Sequence, residues 1–296
     1  MTSLGSSPLE LLGVRLHAMT VDELFAAIDH AIAQRERWVI GNHNLHSVHL
    51  YHRDVAMRRF CEQADRVFID GMALVHAGRA LGLPLRRAHR STSADWMMPL
   101  LRRAAERGWR VFLLGARPGV AERAAARIRS VLPGLQVAVA HGYFDETPDS
   151  AGSREVLDLI RRFEPQLLVV GMGMPRQERW ILENRHQIAA NAILNLGAII
   201  DYLAGEIPIP PRWMAAVGLE WLGRLAFEPR RLWRRYLVEP WSLIPLLLAD
   251  LARARRRQRG GADARATAAR EARPSTEDAG LTLDRHPVYG EQRTLE

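Results

Sequence analysis

The chain has 296 residues, of which 48% are hydrophobic and 25% are charged, and these ordinary globular values indicate that most of it folds. Its single cysteine, Cys61, excludes an intramolecular disulfide and is expected to be a small buried side chain. The formal net charge is +8, and residues 212–259 hold eleven arginines against four carboxylates. So basic a segment is expected to meet an anionic partner, either nucleic acid or a lipid surface.

The N-terminus and the apolar runs indicate the cellular compartment of the protein and whether it spans a membrane. Residues 1–8 are polar and lack the charged start and apolar run of a secretory signal. No stretch reaches the roughly eighteen uninterrupted apolar residues that a transmembrane helix needs. The nearest candidate, residues 237–252, is interrupted by Glu239, Pro240, Pro245 and Asp250. We therefore expect a cytoplasmic protein without a membrane-spanning helix.

Helical and extended patterns alternate along the chain after a short apolar lead over residues 9–19. Thr20 and Glu23 form a capping box, which predicts the start of the first helix. The helical segment after residue 44 is expected to be recapped at Asp54. The expected helices cover residues 20–34, 45–63, 72–81, 91–107, 120–131, 154–163 and 176–190, and the expected strands cover residues 38–40, 66–69, 111–114, 137–140, 167–170 and 192–196.

The strands are unbroken apolar runs, which is typical of strands covered on both faces in a parallel sheet. Their alternation with helices predicts a doubly wound, Rossmann-like α/β domain with a mostly parallel sheet, over residues 1–207. Residues 208–259 form a second region, here called the appendage, which is expected to be helical. Residues 260–296 lack apolar periodicity and are expected to be a disordered tail.

The appendage combines arginines with Trp213, Trp221, Trp233 and Trp241. Tryptophan favours the headgroup region of a bilayer and arginine favours anionic lipids, so this composition is typical of a helix that lies on a membrane surface. A nucleic-acid surface is the alternative. The apolar run at residues 243–248 favours the membrane, because binding to polymerised phosphates would not need it.

Polar and glycine residues follow the predicted strands. In a parallel α/β sheet, ligands bind at the carboxyl ends of the strands, so these residues are expected on one rim of a binding crevice. They are Asn42, Asn44, Asp70, Gly71, Gly115, Gly119, Gly171, Gln177, Glu178 and Gly197.

Asp70 stands at the end of an apolar strand and is the candidate catalytic base. The alternative is that it only caps the helix that follows, because aspartate is a preferred N-cap residue. Spacing by itself favours the cap.

Two other motifs on the rim are open to two interpretations. Gly115 and Gly119 lie between a strand and a helix, where backbone N–H groups can cradle a phosphate, but such a pair is more often structural. Gln177 and Glu178 open a helix, either as an ordinary first turn or as groups that hydrogen-bond a sugar or a base.

Four histidines, His43, His46, His49 and His52, are spaced three residues apart. Histidines at this spacing can bind zinc, but no cysteine or carboxylate completes the set. We therefore expect an exposed polar stripe rather than a metal site.

The order of these motifs resembles the WecG/TagA/CpsF family, glycosyltransferase family 26, over about residues 12–248. The motifs that carry the resemblance are Phe68-Ile-Asp70-Gly71-Met72, Leu113-Leu-Gly115-Ala-Arg-Pro-Gly119, Val170-Gly-Met-Gly-Met-Pro175-Arg-Gln177-Glu178 and Gly218-Leu-Glu220-Trp221. The resemblance implies an inverting transferase that moves a sugar from a UDP-sugar to a polyprenyl-diphosphate-linked sugar at the cytoplasmic face of the membrane, for a cell-surface polysaccharide.

The resemblance also implies roles for residues. Asp70 corresponds to the general base proposed for the family, and Asn44 to the asparagine of a Thr-x-Asn turn whose threonine is replaced here by Asn42. Gln177 and Glu178 correspond to the loop pair of the family. The arginines of the appendage are expected to close over the diphosphate or meet the membrane, and they are Arg212, Arg224, Arg230, Arg231, Arg234 and Arg235.

The chain departs from the family at residues 87–96, where Arg90, Thr92 and Asp95 are expected to contact substrate. This segment is more similar to the GumM-type members, which implies glucose transfer from UDP-glucose to glucosyl-diphosphate-polyprenol in xanthan- or acetan-like synthesis. The alternative is an N-acetylmannosaminyl or mannosaminuronyl donor with an N-acetylglucosaminyl acceptor.

No DxD-like metal motif is evident, so no cofactor and no obligatory metal are expected. The expected partners are the UDP-sugar, the lipid-linked acceptor and an anionic membrane surface. Nucleic acid is not expected, although a basic nucleic-acid-binding α/β protein is the rival from another class. Self-association into a homo-oligomer is left open.

Overall fold

The computed structural model describes residues 7–210, 214 and 218–256, and it has a six-stranded sheet at its centre. The strand order is β4-β3-β8-β7-β5-β6, and every neighbouring pair is parallel. A separate antiparallel pair, β1 and β2, precedes the sheet. The strands are β1 (Leu9–Leu11), β2 (Val14–Leu16), β3 (Trp38–His43), β4 (Arg66–Ile69), β5 (Arg110–Gly115), β6 (Gln136–Ala140), β7 (Leu167–Gly171) and β8 (Ala192–Asn195).

Helices cover both faces of the sheet. One buried cluster joins the sheet to α1, α5, α6 and α9, and a second joins the opposite face to α3, α7 and α8. The predicted doubly wound α/β fold is therefore confirmed. The helices are α1 (Val21–Ala33), α2 (Leu45–Tyr51), α3 (Val55–Gln63), α4 (Met72–Ala80), α5 (Ser93–Glu106), α6 (Val120–Val131), α7 (Ala151–Phe163), α8 (Arg176–Asn184) and α9 (Ile199–Ala204).

Local sequence signals fix most of these elements. Thr20 and Glu23 form the predicted capping box at the start of α1, and the Asp54 side chain accepts a hydrogen bond from the Met57 N–H at the start of α3. Cys61 is buried in the second cluster, as predicted. One expectation was wrong, because α8 ends at Asn184, well before residue 190. The N-terminal lead, for which no element was predicted, folds as the β1–β2 hairpin.

The hairpin turns through Leu12 and Gly13, which both have positive φ, at 53° and 72°. Its apolar residues join a third buried cluster with α2 and α4. Leu243 of the appendage belongs to the same cluster and is 4% exposed. The hairpin thus helps to form the surface on which the appendage rests.

Gly115 and Gly171 bring β5 and β7 close together at the rim. A Cβ atom on Gly115 would lie 2.3 Å from the Gly171 carbonyl oxygen, and one on Gly171 would lie 2.6 Å from the Gly197 oxygen. No side chain fits at such distances, so both positions are restricted to glycine by backbone packing. This supports the structural interpretation of Gly115.

The appendage is helical where the structure describes it. It contains helices Glu220–Phe227 and Pro229–Trp233, a π-helical turn Arg234–Val238, a 3₁₀ segment Glu239–Leu243 and a helix that begins at residue 244. Residue contacts group the chain up to Ala252 into one compact unit. No helix among the described residues is long and apolar enough to cross a membrane.

Some predictions fall outside the described residues. These are the polar N-terminus over residues 1–6, Arg212, and the disordered tail over residues 260–296. The boundary between residues 207 and 208 remains a prediction.

Candidate active site

A main cleft of about 700 Å³ opens at the carboxyl ends of the strands. The rim supplies Asn42 near the end of β3, together with Asn44, Asp70, Gly173 and Gly197, which follow β3, β4, β7 and β8. The appendage supplies the opposite wall. Its contribution is strongly basic and consists of Arg224, Arg231, Arg234 and Arg235, with Glu239 and Ser242.

Asp70 lies immediately after β4, and its backbone N–H donates to the His43 carbonyl oxygen at 2.8 Å. The N-cap of α4 is Gly71, which has φ of 106° and makes no side-chain cap bond. The Asp70 carboxylate makes no hydrogen bond to any described residue, so it does not cap this helix. It faces the cleft instead, and the interpretation of Asp70 as a simple cap was wrong.

Two arginines of the appendage share the main cleft with this carboxylate. The Arg224 guanidinium lies 5.7 Å from the centre of the Tyr202 ring, and that of Arg235 lies 5.8 Å from the Tyr236 ring. The Nε atoms of both arginines are buried and have no hydrogen-bond partner among the described residues. These orphaned donors are suited to an anionic ligand that enters the cleft.

The electrostatics of the two arginines differ. Burial lowers the pKa of Arg235, although the nearby Tyr236 and Asp70 oppose that change. Burial also opposes the charge on Arg224, but Tyr236, Tyr202 and Asp70 together raise its pKa. Arginine stays protonated in proteins, so these shifts describe a crowded positive region that a ligand with negative charge would relieve.

A second cleft of about 460 Å³ meets the main cleft at Asp70. Asn44, His46, Arg224 and Arg235 also line both clefts. The remaining wall of the second cleft is largely apolar, with Leu45, Met72, Trp221, Tyr236 and Pro240. Asp70 therefore stands where a polar, arginine-lined cleft and a more apolar one join.

The predicted segment 87–96 borders this second cleft. Arg90 and Thr92 line it, as does Gly71. The Thr92 hydroxyl is buried and has no partner among the described residues, whereas Arg90 pairs with Glu220 and, at 2.9 Å, with Asp95. Asp95 lines neither cleft, and its contact with this site is the ion pair with Arg90. Burial would lower the pKa of Arg90, but Glu220 and Asp95 together raise it.

Gln177 and Glu178 lie behind the rim and are both fully buried. Gln177 Oε1 accepts from the N–H groups of Gly173 at 3.1 Å and Gly197 at 3.2 Å. Glu178 Oε1 accepts at 2.7 Å from the side-chain amides of Gln177 and Asn195. Neither residue lines a cleft, and their bonds instead tie together the loops after β7 and β8.

This buried network continues to the cleft through Asn42, which donates to the Asn195 carbonyl oxygen at 2.6 Å. Asn42 Oδ1 and Glu178 Oε2 have no partners among the described residues. Burial raises the pKa of Glu178, and the hydrogen bonds from Gln177 and Asn195 only partly oppose this.

The loop between Gly115 and Gly119 borders a third cleft of about 330 Å³, with Gly171, Gly173 and Gly197. The Ala116 N–H donates to the Gly171 oxygen at 3.2 Å and the Val120 N–H to the Arg117 oxygen at 3.0 Å. Those two donors are occupied within the protein. Three carboxylates also line this cleft, so it offers less positive charge than the main cleft; they are Asp201, Glu206 and Glu228.

The predicted exposed histidine stripe was wrong. His43 is fully buried and bonds Ser47 at 2.9 Å, while His46, His49 and His52 are half-buried and each bond another part of the protein. Within the described residues, no three histidine, cysteine or acidic side chains are grouped to hold a metal ion.

The remaining arginines divide by position. Arg231 and Arg234 line the main cleft, whereas Arg230 is exposed and lines none of the three clefts. Several cleft residues were not predicted, because they belong to helices with no motif around them. Examples are Tyr202 and Ser242.

A Rossmann-like fold with a carboxylate at a strand end and a facing wall of arginines is an arrangement typical of enzymes that bind anionic substrates. The sequence profile of the Glycosyl transferase WecG/TagA/CpsF family matches residues 9–258. The chain belongs to that family and is a glycosyltransferase, which confirms both the resemblance and the predicted enzyme class.

Similar proteins occur in Staphylococcus aureus strains NCTC 8325 / PS 47, COL and MRSA252. Each is 30% identical to this chain over 195 residues, which is 66% of this chain and 72% of the relative. Each is named N-acetylglucosaminyldiphosphoundecaprenol N-acetyl-beta-D-mannosaminyltransferase.

Proposed function

We propose that this chain transfers N-acetylmannosamine from its UDP-sugar to a polyprenol that carries N-acetylglucosamine on a diphosphate. The observation that carries the proposal is the place of Asp70, where an arginine-lined cleft and a more apolar cleft join. The names of the matched relatives support this sugar pair over the glucose transfer that the sequence favoured.

The main cleft is suited to the donor. Its walls carry Arg224, Arg231, Arg234 and Arg235, and guanidinium groups match the oxygens of a diphosphate. The buried Nε atoms of Arg224 and Arg235, which have no hydrogen-bond partner in the described part of the chain, would gain acceptors when the diphosphate enters. The leaving UDP would then develop its negative charge against groups that are already in position.

The second cleft is suited to the acceptor. Its apolar wall, with Leu45, Met72 and Trp221, can cover the apolar face of a sugar or the first isoprene units. Thr92 offers there a hydroxyl that no residue of the described ranges hydrogen-bonds, and Arg90 offers a guanidinium. An acceptor in this cleft and a donor in the main cleft would meet at Asp70.

Asp70 is proposed as the general base. It would take the proton from the acceptor hydroxyl while that oxygen forms a bond to the anomeric carbon. The bond from this carbon to the diphosphate oxygen breaks on the opposite side, and UDP leaves with the bonding pair, so the configuration inverts. A positioned base of this kind typically contributes about 10² to 10⁴-fold in rate.

The appendage is proposed to rest on the cytoplasmic face of an anionic membrane. It exposes Trp221, Trp233 and Trp241 together with Leu237 and Leu248. Exposed arginines accompany these apolar side chains, a combination that favours the headgroup region of a bilayer. The second cleft is bordered by this same region, which would bring a lipid-linked acceptor to it.

No obligatory metal is proposed, because the arginines supply positive charge in the main cleft. Transfer should continue in excess chelator. Loss of activity with chelator, restored only by a divalent ion, would contradict this part of the proposal.

A donor and acceptor panel tests the function. Purified protein is given UDP-N-acetylmannosamine, its uronic acid or UDP-glucose, each with a short-chain polyprenyl diphosphate bearing N-acetylglucosamine or glucose. Mass spectrometry of the lipid product should show addition of one N-acetylhexosamine to the N-acetylglucosaminyl acceptor. Transfer of glucose to the glucosyl acceptor alone would overturn the proposed sugar pair in favour of exopolysaccharide synthesis.

A further inference from the structure

Two histidines of α2 face the appendage in matched spacing. His46 Nδ1 lies 2.5 Å from Glu239 Oε2, and His49 Nδ1 lies 2.7 Å from Ser242 Oγ. The histidines are three residues apart, and so are their partners. One turn of α2 is thus bonded to one turn of the appendage, across 193 residues of sequence.

The donors in both bonds can be assigned from their partners. A carboxylate only accepts, so His46 carries its proton on Nδ1 and donates it to Glu239. The Ser242 hydroxyl donates to the Glu239 carbonyl oxygen at 2.7 Å, so its lone pair accepts from His49 Nδ1–H. Both imidazoles therefore dock the appendage through an Nδ1–H group.

Neighbouring contacts extend this attachment. His52, one more turn along, lies with Nε2 2.8 Å from the Leu12 carbonyl oxygen, and the Leu12 N–H donates to Asp250 Oδ2 at 2.8 Å. Leu243, next to Ser242, is buried in the cluster that includes Val48 of α2. The histidine bonds thus lie beside an apolar anchor and are partly sheltered from water.

The position of this attachment links it to the arginines. Glu239 is four residues after Arg235, and His46, His49, Glu239 and Ser242 all line the main cleft. A change in how this turn docks on α2 would therefore move Arg235 relative to Asp70.

We propose that His46 and His49 are positioning residues that dock the appendage on α2 and hold Arg235 opposite Asp70. In this proposal they act through the position of the appendage and not on the reacting atoms. The docking itself is independent of the donor sugar, and only its effect on transfer rests on the proposed function.

Charged and titratable groups around the two histidines give the docking a pH dependence. Burial and Arg235 lower the pKa of His46, and His49 lowers it to a smaller extent. Glu239 raises this pKa but does not offset them. Burial lowers the pKa of His49, with Arg53 and His52 acting in the same direction and Glu239 opposing. The docked state therefore binds fewer protons than the state in which the appendage is released and the pKa values of His46 and His49 on α2 return to about 6.5.

The sign of the effect follows from this difference. Docking is fully favoured above about pH 6.5 and weakens as the pH falls below that value, because acid protonates the released histidines first. Replacement of His46 by asparagine keeps an N–H donor near the Nδ1 position but removes the imidazole that is protonated in His46, while His49 still titrates.

Hydrogen–deuterium exchange of the full-length protein tests the docking without any substrate. In the double variant His46→Ala, His49→Ala, amides over residues 239–243 should exchange about tenfold faster, because lost hydrogen bonds to charged groups have effects of at least this size. The β-sheet should keep its protection, which shows that the variant folds. His46→Asn should stay close to wild type, and the exposed His186→Gln is the matched control.

Transfer kinetics provide the second readout. The double alanine variant should lose about tenfold or more in kcat/KM, and wild-type kcat/KM should fall between pH 7 and 5.5 more steeply than that of His46→Asn. Unchanged exchange in the alanine variant, or an unchanged pH profile in the asparagine variant, would overturn the proposal. If exchange responds but wild type transfers no sugar, the docking stands and the proposed function fails.

Discussion

Glu178 is a fully buried carboxylate whose two oxygens have different surroundings. Oε1 accepts two amide hydrogen bonds, and Oε2 has no partner among the described residues. Since burial raises the pKa of Glu178, the folded protein holds the carboxyl proton more tightly than the unfolded chain. The network that shapes the rim therefore includes a group that the fold favours in its neutral form.

Glu178→Gln should change how stability depends on pH. The unfolded chain loses the glutamate proton at its ordinary pKa of about 4.5, so the wild-type protein loses stability as pH rises from there through the higher folded pKa. The glutamine variant has no such proton. Urea unfolding at pH 4 to 8 should show that the free energy of unfolding of the variant increases relative to that of wild type as the pH rises. If the two free energies changed in parallel with pH, this prediction would be contradicted.

Asp70 and the rim residues could be predicted from the sequence because strand ends, glycines and polar turns have local signals. The roles of Gln177 and Glu178 could not be predicted, because the sequence of a first helical turn is the same kind of sequence whether the turn faces solvent or a buried neighbour. Their burial depends on where β7 and β8 lie in the sheet, which is decided by long-range pairing.

At the scale of elements, the appendage adds a second wall to a cleft that the sheet alone leaves open. Among its described residues, Leu232 and Leu243 are buried leucines, at 1% and 4% exposure, and the arginines of the main cleft lie near them in the sequence. Packing of these two side chains therefore fixes which arginines point inward.

Arg235→Gln should lower kcat/KM about tenfold to a hundredfold, since hydrogen bonds to charged groups contribute roughly 1.5–3 kcal/mol. The matched control is Arg230→Gln, which removes the same charge from an exposed position outside the clefts. With a detergent-solubilised, short-chain acceptor, the control should stay within about threefold of wild type. Equal losses in both variants would show that net charge, and not position, matters.

The order of elements was largely predictable, but two features were not. The hairpin strands β1 and β2 have three residues each, too few for an alternating pattern, and their turn uses Leu12 at positive φ. The bonds from His46 and His49 join positions far apart in sequence, and nothing local distinguishes these histidines from an exposed stripe.

Across the whole molecule, large exposed apolar side chains concentrate in the appendage. Trp241 is 70% exposed, and Phe227, Trp233, Leu237 and Leu248 are each at least 48% exposed. An apolar surface of this extent, rimmed by arginines, is typical of an interaction site.

Trp241→Ala should weaken binding to anionic vesicles about tenfold or more, because transfer of a large apolar side chain from water contributes roughly 1.5–3 kcal/mol. Val55, which is 62% exposed on α3, provides the control Val55→Ala, and that variant should bind vesicles like wild type. Co-sedimentation with anionic vesicles and, separately, with RNA measures the binding of the protein to each partner. Binding to RNA but not to vesicles would contradict membrane association.

Asp70 at the junction of the two clefts is the residue on which the proposed chemistry depends. The most direct measurement compares wild type with Asp70→Asn, using the sugar pair that the panel selects and calorimetry for UDP binding. We expect kcat to fall by about 10² to 10⁴-fold, while UDP binds at least as tightly because a carboxylate has been removed beside Arg224 and Arg235. A variant that keeps near-wild-type kcat would show that Asp70 is not the base.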